Sequence, residues 1–321
     1  MKKILIFKTD RIGDLINISP IIKNLKINYP KSKIYIFCSN YNSQIGKYYI
    51  GKDVEDVFLF EKNFFLFFIK FFKFLFINKF DLILQLDGKK KSYFYSAIIP
   101  AKIKACIKFI KYKKIFNFKY KISRPNFISS FFYKIQIKCI EDYENPKNKT
   151  YHYLKLYFKI LEHLNIKIKD KTHYLPFSPK IRLKLNNYSL IHIDERWNNF
   201  NKDFLNNFIK KLINSDIYKN YVITSNYNSN FFFEKLEKKL KLKQNVLFVK
   251  NTTVDDLLSI IYFSNCIISS HTGFLVHAGS AFKKDIIDIV NKDLSNELDR
   301  WIPFGINYKR VFFNDISKLD I

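Results

Sequence analysis

Glycine is scarce in this chain, at seven of 321 residues, and no glycine-rich phosphate loop can be assembled from it. Neither G-x-G-x-x-G nor G-x-x-x-x-G-K-[ST] occurs, which excludes a dinucleotide dehydrogenase and a P-loop NTPase. The four cysteines (Cys38, Cys106, Cys139 and Cys266) lie far apart with no C-x-x-C pair. They form neither a zinc motif nor a disulfide framework, and favour a reducing compartment. The six histidines make no H-E-x-x-H cluster, and Asp285 and Asp288 stand too far from other acidic groups to suggest magnesium; metal-independent chemistry is expected. No uncharged apolar run approaches the roughly 18 residues of a spanning helix. The opening Met-Lys-Lys precedes only a four-residue apolar strand, not the apolar core and cleavage site of a secretory signal. A cytoplasmic protein is expected. Acidic residues are also few, with 28 Asp and Glu against 56 Lys and Arg, a formal net charge of +28.

Such a surface attracts polyanions. No arginine-rich tract, zinc finger or RNP-like motif accompanies it, so specific nucleic-acid recognition is not expected. Part of the lysine excess fits the general Lys, Asn, Ile, Phe and Tyr bias of the composition. Residues 63–80 combine nine phenylalanines with Lys70, Lys73 and Lys79. As a helix they would present a very wide apolar face. That face suits either peripheral contact with the inner-membrane surface or packing between sheet and solvent.

With 48% hydrophobic residues the chain can bury a large core. Strands and helices alternate throughout. In the first half strands are expected at 4–7, 33–38, 54–60, 80–86, 101–108 and 113–118, and helices at 15–26 and 151–164. Pro20 should start or bend the first helix. In the second half strands at 188–193, 221–225, 246–249, 266–270 and 285–290 alternate with helices at 202–213, 230–241, 253–263 and 274–282. This grammar implies a mostly parallel sheet in each half, with domains at 1–178 and 179–321 divided in the Pro176, Pro179 and Asn186-Asn187 stretch.

Two corners carry candidate chemistry. The first strand runs into Arg11-Ile12-Gly13-Asp14, where Asp14 either meets a substrate or caps the next helix. In the second half, His271-Thr272-Gly273 leads from a strand into a helix, whose free N–H groups and dipole favour phosphate; strand–Thr-Gly–helix turns also occur without a ligand. His192 and Asp194 alternate at a strand end, either toward a site or with His192 buried and satisfied. Asp255-Asp256 after Thr252-Thr253 fits ordinary helix N-terminal charge.

Residues 2–30 resemble the start of glycosyltransferase family 9, the lipopolysaccharide heptosyltransferases. Ile12-Gly13-Asp14, Pro20 and Tyr29-Pro30 stand at that family's spacing, and 80–88 (FDLILQLDG) resembles its F-D-L-x-I-D-L-x-G strand. Asp194-Glu195-Arg196-Trp197 sits where the family carries K-x-W. The run from His271-Thr272-Gly273 to Ala278 resembles its D-T-G-x-x-H-x-A turn. The resemblance implies an α/β GT-B architecture, two Rossmann-like domains facing across a cleft, with the donor nucleotide held mainly by the second. It implies an inverting glycosyltransferase that moves heptose or a related sugar from a nucleotide diphosphate, ADP-heptose among the candidates, with no cofactor. The acceptor would be an anionic glycolipid or oligosaccharide of the lipopolysaccharide core or another cell-surface glycan. Asp14 would be the general base, and Gly13, Arg196, His271, Thr272 and Gly273 would bind the donor. The departures are Glu195 for the family lysine, His271 for its Asp and Val276 for its helix His. A GT-B-like protein that binds a ligand or partner without transfer is the alternative.

Overall fold

The computed structural model describes residues 1–60, 69–74, 79–115, 118–141, 152–214, 219–225, 231–294, 298–313 and 315. The chain divides into two compact units, Met1–Lys171 and Thr172–Ile321.

Unit 1 is built on β1 (Lys3–Phe7), β2 (Lys33–Ser39), β3 (Asp56–Phe60), β4 (Phe80–Gln85), β5 (Ala101–Ile115), β6 (Phe118–Arg124) and β7 (Ile135–Glu141), in the order β3-β2-β1-β4-β5-β6 with β7 also on β5. β1 is central and parallel to both neighbours, with Ile4 opposite Ile34 and Leu82. Its nearly unbroken apolar run is what a strand covered on both faces requires. The expected helix at 15–26 is two pieces, α1 (Ile12–Ile16) and α2 (Ser19–Asn28), with Pro20 in the first turn of α2, where its missing N–H costs nothing. Helix α3 (Ser43–Tyr48) precedes β3 and α4 (Lys90–Ile98) precedes β5. Helix α5 (Tyr153–His163) packs on α2, β5 and β7. The two short strands expected over 101–118 are one fifteen-residue strand, β5, and a β-hairpin into the antiparallel β6. β7 had no counterpart in the sequence reading. Its lysine-bearing alternation becomes a strand because β5 offers it a parallel edge.

Of the Phe-rich segment 63–80, residues 63–68 and 75–78 lie outside the described residues, and 69–74 is helical. Phe71 and Phe74 are buried on the sheet with Phe7, Phe37 and Phe80, while Ile69 and Phe72 are exposed.

Unit 2 is a six-stranded parallel sheet of β8 (Tyr188–Ile193), β9 (Asn220–Ser225), β10 (Val246–Val249), β11 (Cys266–Ser269), β12 (Asp285–Val290) and β13 (Tyr308–Phe312), in the order β10-β9-β8-β11-β12-β13. Its helices are α6 (Lys202–Ile213), α7 (Phe231–Leu240), α8 (Val254–Phe263) and α9 (Gly273–Ala281). β13 extends the sheet past the last strand expected from sequence. The core centres on Trp197, fully buried and stacked on Phe232 at 5.5 Å between centroids. Asp256 closes a capping box with Thr253, so the helix-end reading of that acidic pair holds.

Candidate functional site

Both candidate corners lie at carboxyl ends of parallel strands, where open α/β sheets place ligands. At the end of β1, alternation puts Lys8 on the same side as Ile4 and Ile6, and its side chain is buried. Its Nζ donates to Asp10 at 2.7 Å, to Tyr157 Oη at 3.1 Å and to the Leu86 carbonyl at 3.3 Å. Burial alone would neutralise this lysine, but the charges of Asp10, Tyr157 and Asp14 outweigh it and hold its pKa well above the ordinary value. Tyr157 is pushed up to about 12, mainly by burial.

Asp87, at the end of β4, fixes the loop after β1. It is fully buried and accepts from the Thr9 N–H and hydroxyl, both at 2.8 Å, from Gln85 at 3.0 Å and from the Lys89 N–H at 2.9 Å. The turn that follows carries Gly13, which is buried, and Asp14, which is half-buried. Asp14 accepts from the Arg11 N–H at 3.2 Å, so the capping contact exists. Burial raises the Asp14 pKa, and nearby Lys8 offsets this only in part. A carboxylate with a raised pKa takes up a proton more readily than an ordinary one.

In unit 2, Asp194 ends β8 and is buried. It accepts from the Arg196 N–H at 3.0 Å and guanidinium at 3.3 Å, from Ser270 Oγ at 2.8 Å and from Thr272 Oγ1 at 2.5 Å. Arg196 Nη1 also donates to the His271 carbonyl at 3.0 Å. The structure therefore gathers Arg196, His271, Thr272 and Gly273 at the mouths of β8 and β11. It also commits the Thr272 hydroxyl to Asp194. His271 has φ 58°, left-handed for a non-glycine residue, and its Nδ1 pairs with buried Asp288, which accepts from Tyr308 Oη at 2.6 Å. Nε2 of His271 is buried without a hydrogen-bond partner. His192 is turned away from this corner and bonds Thr224 Oγ1 at 2.8 Å, while its carbonyl accepts from the Trp197 indole at 2.9 Å. Val276 and His277 are both buried in α9, and the His277 ring lies 5.2 Å from that of His173.

Helix α9 starts at Gly273, and a Cβ built there meets nothing within 4 Å. The space beside the first free N–H groups is open. At Gly279, by contrast, a Cβ would collide with Ile267 Cδ1, so that glycine serves helix–sheet packing.

No family model matches the sequence, and no curated protein is similar to it in sequence. Solved structures are similar in fold. A glycosyltransferase family 9 protein from Veillonella parvula aligns with a TM-score of 0.72 at 12% identity, over 100% of this chain and 90% of that one. The fold is GT-B. E. coli heptosyltransferase WaaC, solved with ADP-2-deoxy-2-fluoro heptose, aligns at 0.68 with 14% identity over 98% of each chain. E. coli ADP-heptose LPS heptosyltransferase II aligns at 0.61 with 10% identity over 96% of this chain and 93% of its own. In this GT-B chain the sequence reading missed Lys8, Asp87 and Tyr157, weighed Asp288 only as a magnesium ligand and not as the partner of His271, and weighed Asp194 only beside His192. A lysine two residues beyond Ile6 on the inward side of a strand was the available signal for Lys8. Asp288 lies 17 residues from His271, and only the β11–β12 pairing brings them together.

Proposed function

We propose that this chain is an inverting glycosyltransferase of the family 9 type, transferring heptose or a related sugar from a nucleotide diphosphate to a lipopolysaccharide-core or other cell-surface glycan at the cytoplasmic side of a membrane. Asp14 takes the proton of the acceptor hydroxyl. The acceptor oxygen bonds to the anomeric carbon as the bond to the diphosphate oxygen breaks, and that oxygen leaves with the electron pair. Arg196 and the opening N–H groups of α9 at Gly273 stabilise the departing charge, with Thr272 and His271 shaping the corner. No metal is required in this scheme. The observation that carries the reading is the junction at Asp194, which brings Arg196 to the start of α9. The fold likeness to heptosyltransferases solved with ADP ligands supports it.

A second reading, a GT-B-like binding protein without transfer, is favoured by Glu195 at the family lysine's position and by the Thr272 hydroxyl already bound to Asp194. Thermal unfolding with ADP, UDP and their sugar conjugates tests both. A nucleotide at about 100 times its dissociation constant should add about 2.7 kcal/mol to the stability of the fold. Release of nucleoside diphosphate in the presence of acceptor then separates transfer from binding. No shift with any nucleotide or nucleotide sugar would sink the transferase reading.

Gly273→Ala gives a sharper expectation. Alanine in the first turn of α9 should stabilise the ligand-free protein by about 0.5–1 kcal/mol. The added methyl occupies the open space beside the phosphate N–H groups, so nucleotide affinity should fall even as the melting temperature rises. Equal affinity in the two proteins would remove Gly273 from the donor site.

A further inference from the structure

A layer of apolar side chains faces solvent on one side of the unit 1 sheet. Helix 69–74 and α4 cover that side together, with the rings of Phe71 and Tyr95 5.0 Å apart. Their inner residues fill the aromatic core, and their outer residues include Ile69, Phe72, Phe94 and Ile98, all exposed. The turn after β6 adds Phe127, Ile128, Phe131 and Phe132, exposed by 77%, 72%, 73% and 51%. This turn is fastened to α4. Tyr133 Oη lies 2.5 Å from Ser96 Oγ and donates to the Tyr93 carbonyl at 3.0 Å. Lys104, buried beneath, holds its Nζ 5.6 Å from the centre of the Phe132 ring and donates to the Ala97 carbonyl. The exposed rings are thus held on an ordered support.

The charge around them is of one sign. Residues 88–140 contain fourteen Lys and Arg and no Asp or Glu. Lys89, Lys90 and Lys91 are exposed at the start of α4, and Lys134 is exposed just after Phe132. Exposed apolar side chains clustered on elements fastened to one another mark an interaction surface. We propose that this face docks on an anionic phospholipid bilayer. The phenylalanines and isoleucines enter the boundary between head groups and acyl chains, and the flanking lysines meet lipid phosphates. A second copy of the chain is disfavoured as occupant, because self-pairing would set like charges together with no carboxylate in the stretch to offset them. Nucleic acid would engage the lysines and leave the aliphatic side chains of Ile98 and Ile128 unused. The surface stands whatever the site transfers.

Flotation of the full chain with vesicles tests this. Phosphatidylglycerol-containing vesicles should retain the protein about tenfold or more better than pure phosphatidylcholine. The double variant Phe127→Ser, Phe131→Ser keeps the net charge and alters only exposed rings, so its thermal unfolding should match wild type while its retention falls about tenfold or more. Lys90→Glu with Lys91→Glu should weaken retention on anionic vesicles. Leu242→Ser, 91% exposed in the other unit, should change nothing. Wild-type retention of the double serine variant would show adhesion by net charge alone and overturn the proposal. So would equal retention on both vesicle types, or a dimer in sedimentation that the serine variant dissociates without any vesicle binding.

Discussion

Replacing Asp14 by asparagine is expected to lower sugar transfer by about 10²–10⁴-fold, the range a positioned general base contributes, and to leave the fold as stable as before or slightly more so. The two halves of this outcome have one cause. Burial raises the Asp14 pKa, so the folded protein holds the carboxylate's charge at a cost that the unfolded chain does not bear. A carboxylate whose folded pKa is raised destabilises the fold above its unfolded pKa, and this penalty disappears as pH falls and the group is protonated in both states. Asparagine removes the penalty at neutral pH. It keeps an oxygen for the Arg11 N–H, so the helix cap survives. A capping residue with no chemistry predicts the same stability outcome, because asparagine keeps the cap, but no effect on transfer, so the transfer rate decides between the two. In wild type the acidic limb of kcat/KM should fall above the ordinary carboxylate value of about 4 and should vanish in the asparagine variant. Titration calorimetry with the nucleotide separates loss of chemistry from loss of donor binding, since only the former is expected. Transfer within threefold of wild type would remove Asp14 from the mechanism.

The features legible in the sequence were those encoded locally. The apolar runs of β1 and β4, the Ser19-Pro20 start of α2, the Thr253–Asp256 cap and the strand–turn–helix at 271–273 each sit within a dozen residues. Their grouping into two α/β halves followed from alternation alone. Long-range arrangements escaped. The short lysine-bearing alternation of β7 and the short run of β13 went unread, and both are completed as strands by the edges that β5 and β12 present to them. Asp194 was noticed at its strand end beside His192, but its partners at the 270–272 corner were not legible, for the same reason. Asp194 meets Ser270 and Thr272 only because β8 and β11, some 76 residues apart, are neighbours. The Phe-rich run was read as one wide apolar face, whereas its described part divides between Phe71 and Phe74 inward and Ile69 and Phe72 outward. The more exposed rings at 127–132 drew no notice, because four aromatic or aliphatic residues in six do not stand out in a chain with 35 phenylalanines.

Asp194→Ala tests that long-range junction most directly. The substitution leaves the hydroxyls of Ser270 and Thr272 and the N–H of Arg196 without their acceptor in a largely buried corner. Each unmet donor costs about 1–3 kcal/mol, less where water can reach it. The Arg196 guanidinium is part-exposed and its ion pair adds little. A total of about 3 kcal/mol is expected, which for a unit of this size lowers its melting temperature by about 6–12 °C. Donor binding should weaken as well, because Arg196 loses one of the two contacts that hold it beside α9, the other being the His271 carbonyl. Asp194→Asn retains an acceptor for Ser270 and the Arg196 N–H but cannot accept from Thr272 through its amide nitrogen, so it should fall between wild type and alanine in both measurements. If Asp194 were only a strand-end residue, alanine would shift unfolding by less than about 2 °C and leave nucleotide affinity untouched. The graded order wild type, asparagine, alanine in both stability and affinity is the signature of one carboxylate that positions the donor corner by holding β8 to the start of α9.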